Sequence, residues 1–302
     1  MPITFDPAGT TLDDVIQEVT SNLQGYTAST DQVTYLTAPM VPGDLTIAVA
    51  DASVMSRGII EIDTELMWVM TTDIGANQFN LLPLGRGWRG SAVAAHNSGS
   101  TVISAPAVPR FIVRREILQT LASIYPEMYA VATTEFTYSN ILQIGWALPA
   151  PAVGILDVRW KDYNGNWQRI RTWEIEFGAN TTDFPTGKTI RFHGIPQGRT
   201  VQVVYATIPA PLVNDTDLFS TTGLSAGAKD LIVLGTMARI VPTIDISRLN
   251  VAYVPATEMT QARPSGGAIA IGKYLEAKYA QRLQQERAVL NTQYPARVHF
   301  TR

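Results

Sequence analysis

Cysteine is absent from the 302 residues of this chain. That excludes disulfide frameworks, thiolate metal sites and cysteine nucleophiles. Histidine is scarce. His96, His193 and His299 lie far apart, and no HxxxH or HExxH pair occurs, so a zinc or non-haem iron site is not expected. Charge is sparse as well: 16% of residues are charged, against an average of about 25%. Few charges suggest that much of the surface is covered by partners. A net charge of −3 excludes a generally basic, DNA-coating protein. Long apolar runs are missing. The most apolar stretch, residues 141–156, contains Pro149 and Pro151 and falls short of a membrane span of about 20 residues. The first basic residue is Arg57, so no signal-peptide pattern opens the chain. The expectation is a protein that acts where it is made, away from membranes.

What is present is apolar. Hydrophobic residues make up 46% of the chain, the reverse of a disordered composition, and the length suits about two ordinary domains. The few charges are polarised. Residues 1–80 hold eleven acids and one base, and residues 265–302 hold six bases and two acids. Such ends can pair within one molecule, or between neighbours in a head-to-tail ring; two solvated faces are the plainer alternative.

The pattern along the chain alternates between helical and extended. Thr11 and Asp14 form a capping-box pattern, and Leu12, Val15, Ile16, Val19 and Leu23 follow at helical spacing. From about residue 33 to 104 the period changes to two, with Gly and Pro signals between short apolar runs, which predicts a small β-barrel or sandwich. Val113, Ile117, Leu121 and Ile124 then mark a helix stopped near Pro126. A second β-region follows, with strands expected over residues 153–160, 167–177, 189–193 and 201–205; Asn164-Gly165 is a hairpin signal. Residues 226–241 read as a helix ended by Pro242, and a long helix follows Gly266-Gly267, with an Arg282–Glu286 pair at i,i+4.

The expected fold is therefore α+β: a discontinuous helical bundle core with two inserted small antiparallel β-barrel or sandwich modules. Residues 1–26 form the N-terminal core helix, 27–108 the first β-module and 109–135 a core helix. Residues 136–211 form the second, sandwich-like module, and 212–302 the C-terminal helices and an extended tail. A bundle is preferred because no single helix here can bury its stripe alone.

Motifs for chemistry are weak. Thr186-Gly187-Lys188-Thr189 ends like a phosphate-binding loop, but Thr182 stands where a glycine is needed and a strand pattern follows, so it reads as a β-turn. No SxxK element occurs. Arg86-Gly87-Trp88-Arg89-Gly90 could bind an anion only if a helical turn followed at residues 92–95. Asp157, Asp162, Glu174 and Glu176 read as solvated hairpin charges rather than a glycosidase pair. The chain is thus expected not to be an enzyme, and to carry no catalytic residue, metal or cofactor. Trp160, Tyr163 and Trp167, with Trp173 close by, could stack on sugars or could simply be cross-strand pairs and core.

Two segments resemble a known family. Arg86-Gly87-Trp88-Arg89-Gly90-Ser91-Ala92-Val93-Ala94-Ala95-His96-Asn97-Ser98-Gly99-Ser100-Thr101-Val102 resembles the RGxxGTxAxxHxxGxxV stretch of several virion proteins of tailed phages, with Ser91 in place of the usual Thr and Val93 in place of the Ala. Arg282-Leu283-Gln284-Gln285-Glu286, followed by Tyr294 and the tail to Arg302, looks like the C-terminus of head-to-tail adaptor (connector) proteins of actinobacterial siphophages. The resemblance implies a structural virion protein of the neck, assembled in the host cytoplasm. It implies a homo-oligomeric ring, usually a dodecamer, docked under the portal protein and above a downstream neck or tail-completion protein. Double-stranded DNA would pass through without sequence-specific contact. Tyr294, Pro295, Arg297, Val298, His299, Phe300 and Arg302 would touch the portal. Lys273, Lys278 and Arg282, on the basic face of the last helix, are the candidates for DNA contact in the lumen. The alternative is a tail or baseplate component that binds host-surface carbohydrate through Trp160, Tyr163 and Trp167.

Overall fold

The computed structural model of the chain describes residues 9–26, 31–138, 145–192, 198–243 and 267–295. Among them the protein is α+β, with four α-helices and three antiparallel sheets, one of them a curled six-strand half-barrel. Two compact units are present. One comprises residues 13–120 and 230–280, the other residues 1–12, 121–229 and 281–302. No helix among the described residues is long and apolar enough to cross a membrane.

Helix α1 (Leu12–Gln24) buries Leu12, Val15, Ile16, Val19 and Leu23 completely, as a stripe at helical spacing must. Six strands follow: β1 (Gln32–Tyr35), β2 (Thr46–Ala48), β3 (Gly58–Ile62), β4 (Glu65–Asp73), β5 (Gln78–Leu81) and β6 (Thr101–Ser104). Their spatial order is β1-β6-β3-β4-β5-β2. The register of β4 on β5 shifts between Val69 and Thr71, and such a bulge bends a strand and increases its twist. A bridge from Leu36 to Val49 draws the ends of the two edge strands together. Ile60, Ile62, Met67, Val69, Phe79 and Val102 fill the interior.

Helix α2 (Arg110–Ser123) buries Val113, Ile117 and Leu121. Helix α3 spans Ala228–Ile240, shorter at both ends than its sequence pattern; at its C-terminal end Pro242 sits in a tighter turn over Val241–Thr243. Helix α4 spans Gly267–Gln293. Gly235 marks where α3 meets its neighbours: a Cβ there would lie 2.7 Å from Thr120 Cγ2 on α2 and 2.8 Å from the Tyr279 ring on α4. Only glycine permits that approach.

The second β-region holds β7 (Ala130–Tyr138), β8 (Trp146–Ala147), β9 (Ala152–Lys161), β10 (Trp167–Arg169), β11 (Trp173–Phe177), β12 (Lys188–Phe192) and β13 (Arg199–Thr207). One sheet runs β10-β9-β13-β7 and the other β11-β12-β8. They share a core in which Trp146 stacks on Phe192 at 4.5 Å and on Tyr138 at 4.8 Å. The expected single strand over residues 167–177 is two strands in different sheets. Ile170 is buried and its N–H bonds the Val158 carbonyl, and the chain then leaves one sheet for the other. Strand β12 is described through Phe192, and His193, to which the expected alternation runs, lies outside the described residues.

Candidate functional site

The best-organised polar cluster among the described residues lies where the RGxxG stretch meets the β3–β4 hairpin. Ile62 and Glu65 pair across a two-residue turn, and Asp63 in that turn has φ of 55°, a left-handed conformation that Asp tolerates. The turn aims Asp63 and Glu65 at the incoming loop. Glu65 is buried and accepts five hydrogen bonds. Arg86 donates from Nε to Oε1 at 2.7 Å and from Nη2 to Oε2 at 2.8 Å. The Gly87 and Ala94 N–H groups donate at 3.0 Å each, and His96 Nε2 lies 3.0 Å from Oε2. The other ring nitrogen, Nδ1, lies 2.7 Å from Asp63 Oδ2. Two carboxylates facing both nitrogens require an imidazolium that donates twice.

Electrostatics follow from this geometry. Burial pushes the Glu65 carboxyl up, but the bonds from Arg86, His96, Ala94 and Gly87 outweigh it and hold the group at about 2. Burial pushes His96 down, and its bonds to Asp63 and Glu65 outweigh that and raise it to about 9. Arg86, His96 and Glu65 thus balance inside the fold, with Asp63 at its surface. A histidine with both nitrogens engaged is no general base, and Glu65 has no oxygen left for a substrate. The cluster is a clasp, and its product is shape.

The clasp also explains residues of the motif one by one. Gly87 has φ of 62°, and a Cβ there would lie 2.9 Å from both the Ser91 carbonyl and Val93 Cγ2. The Ser91 hydroxyl accepts from the Leu66 N–H at 2.9 Å and donates to the Trp88 carbonyl at 3.1 Å, so the group that Ser shares with Thr is the group used. His96 pairs its backbone with Met40 in both directions, and Val102 enters the core. Residues 91–95 take no helical turn; the turn lies at Trp88–Gly90. Sequence reasoning picked out Arg86 and His96 but not their partners. The available signal was a buried-type Arg and His needing acids, with Asp63 and Glu65 flanking a two-residue turn.

The other candidates are scattered. Trp160 is half-buried against the second core. Tyr163 is 79% exposed, and the Arg199 guanidinium lies 3.2 Å over its ring. Trp167 has the Lys161 ammonium 5.8 Å from its ring. On α4, Lys273 is exposed, Lys278 lies 5.5 Å from the Tyr274 ring, and Arg282 pairs with Glu286 at 2.9 Å and donates to the Gly227 carbonyl. Tyr294 closes that helix through a bond to the Leu290 carbonyl and lines a small cavity with Met128 and Tyr129; Pro295 is exposed. Arg297, Val298, His299, Phe300 and Arg302 lie outside the described residues. Lys188 opens β12 with Nζ donating to the Ala152 carbonyl. Asp157 is tied to Arg159 and Arg169, and Glu176 to Arg191.

Compared with known proteins, the chain matches no family model. No curated protein is similar to it.

Proposed function

We propose that this chain is a structural protein of a virion, one whose work is assembly rather than turnover. Within that class it acts as a head-to-tail adaptor: copies form a ring under the portal protein, and the ring is a conduit for DNA. The observation that carries the reading is the clasp. The stretch that resembles tailed-phage virion proteins spends its Arg and His on an internal brace. The brace holds apolar side chains outward: Arg86 Nη1 donates to the Val41 carbonyl and Nη2 to the Ala94 carbonyl, and on the segments so tied Val41, Val93 and Leu84 are exposed, Leu84 at 94%, beside the exposed Arg89. Apolar surface fixed by a buried ionic network suits a subunit interface. The sparse and polarised charge supports the same reading, as does the expected bundle of helices with two β-modules as excursions from it.

In this reading the C-terminal residues from Tyr294 reach the portal, and Lys273 and Lys278 are the better candidates for the lumen, since Arg282 is engaged within the fold. The carbohydrate-binding alternative is the weaker one, because cations already sit against the rings of Tyr163 and Trp167. Electron micrographs of the purified protein, alone and with a portal, test the proposal. Rings with a central hole are expected; a strictly monomeric protein that never joins a portal overturns it. Deleting residues 294–302 should leave a folded protein that joins the portal poorly.

A further inference from the structure

A second set of charges lies on the outward face of the sandwich-like module. Along β9 the side chains alternate: Val158 and Trp160 face the second core, and Asp157, Arg159 and Lys161 lie on the other side. The register carries that side on to β10, where Arg169 stands opposite Arg159 and Trp167 opposite Lys161. β10 is the edge of its sheet, and all three of its residues are exposed.

Like charges directly across two strands destabilise a sheet, yet Arg159 and Arg169 face each other. Asp157 holds them there. Its side chain is 2% exposed, and its Oδ2 accepts from Arg159 Nε at 2.7 Å and from Arg169 Nε at 3.1 Å. Each guanidinium thus uses one donor of its five. The terminal nitrogens of both have no partner among the described residues, and both side chains reach solvent, at 34% and 48% exposure. Lys161 is exposed, with its ammonium 5.8 Å from the Trp167 ring. The nearby acids do not cancel these charges. Asp162 turns to the other side of the sheet, where it accepts from Gln168, the residue opposite Trp160. Glu135 lies two strands beyond β9 and accepts from Gln202. Three cations against one buried carboxylate leave the face positive.

The arrangement defines the ligand. Guanidinium forks suit phosphate oxygens, and Asp157 has already fixed them, so little side-chain freedom is lost on binding. The cations form a row along the strands, Arg159 and Lys161 about 7 Å apart, and a row suits a chain of phosphates. Trp167 adds a flat ring at the end of the row, on which any base can stack. The ammonium beside that ring disfavours a neutral sugar but suits the phosphate next to a stacked base. In a duplex the bases are stacked on one another, and Trp167 has nothing to add.

We propose that Arg159, Lys161, Arg169 and Trp167 form a site for single-stranded nucleic acid without sequence preference. The cations take successive phosphates and Trp167 stacks one base. The site lies within one copy, so it is independent of the ring reading.

The test is fluorescence anisotropy of a labelled short oligothymidylate with the full chain over a series of salt concentrations. Three phosphate contacts to a single strand give a slope of about −2 in log affinity against log salt. K161Q and R169Q should each reduce that slope by about 0.7. W167A should leave the slope unchanged, weaken binding by about fivefold or more, and diminish the tryptophan quenching that the bound strand causes. Circular dichroism controls for folding. K161Q and W167A alter exposed side chains without buried partners, so they decide the matter even if R169Q, which leaves Asp157 one partner, unfolds. A duplex of the same length and inorganic polyphosphate carry the charge without an open base, and both should bind more weakly. Either of them bound as tightly as the single strand, equal affinity in wild type and W167A, or no binding at the lowest salt overturns the proposal.

Discussion

Replacing Glu65 by Gln tests the clasp directly. The substitution keeps the shape of the side chain and removes its charge. It leaves one acceptor oxygen where five donors now converge, and it turns an NH₂ group toward the Arg86, Ala94 or His96 donors. The Arg86 side chain is only 6% exposed, so its guanidinium would stay buried without its counter-ion. Breaking a buried pair from one side costs about 3–5 kcal/mol. Summing the hydrogen bonds separately would overshoot, because members of one network do not add. Urea unfolding followed by tryptophan fluorescence is the assay, with Trp88 reporting from inside the loop. Hydrogen exchange at the Gly87 and Ala94 amides gives the local readout. A pH series supplies a second, independent check. His96 titrates at about 9 in the folded protein, above its ordinary value, so its contribution is complete below about pH 6.5 and is lost as pH rises through 9. Wild type should therefore lose stability between those values, and E65Q should lose less, because one of the two carboxylates that hold the imidazolium, beside Asp63, no longer carries a charge. An E65Q protein within about 0.5 kcal/mol of wild type, with the alkaline loss intact, would refute the assignment of Glu65 as the centre of the network.

Other outcomes follow from the same structure. D63N should cost no more than about 1 kcal/mol by the same unfolding assay, since Asp63 is 59% exposed and surface pairs contribute little. Glu61 on β3 is buried facing the start of α2, accepts from the Phe111 N–H at 3.2 Å, and is pushed up by burial to about 7. A raised folded value means that stability is present below about pH 4.5 and lost as pH rises through 7. E61Q should thus raise the melting temperature at pH 8, by the equivalent of about 1–3 kcal/mol, and leave it unchanged at pH 4. G235A would ordinarily favour a helix by about 1 kcal/mol; here the Cβ meets Thr120 and Tyr279, and calorimetry should show a loss of about 1–3 kcal/mol instead.

Much of the local structure was legible because periodicity is a local signal. The stripe of α1 and that of α2 are spaced by the helix itself. Asn164-Gly165 does lie between β9 and β10, but not as the two-residue hairpin turn that the pair favours: Lys161 pairs with Trp167 across a longer loop, and of the two residues only Gly165 takes positive φ. The strand expected over residues 167–177 was misjudged for a reason a local reading does not contain. Its alternation continues through Ile170, and only the packing of Ile170 between sheets divides it. The clasp shows the same limit. Arg86 and His96 stood out in a motif, yet their meaning depends on Glu65 and Asp63, which in composition are two of eleven acids in an acidic first quarter.

The sequence alone determined what this protein lacks, the periods of its elements and the polarity of its charge, since each is a property of residue types and their spacing. Only the tertiary structure decided which charges cancel one another. Arg86 and Glu65 are separated along the chain by strands β4 and β5, the turn between them and a loop. Burial and electrostatic pairing act through distances in space, which folding sets and chain order does not.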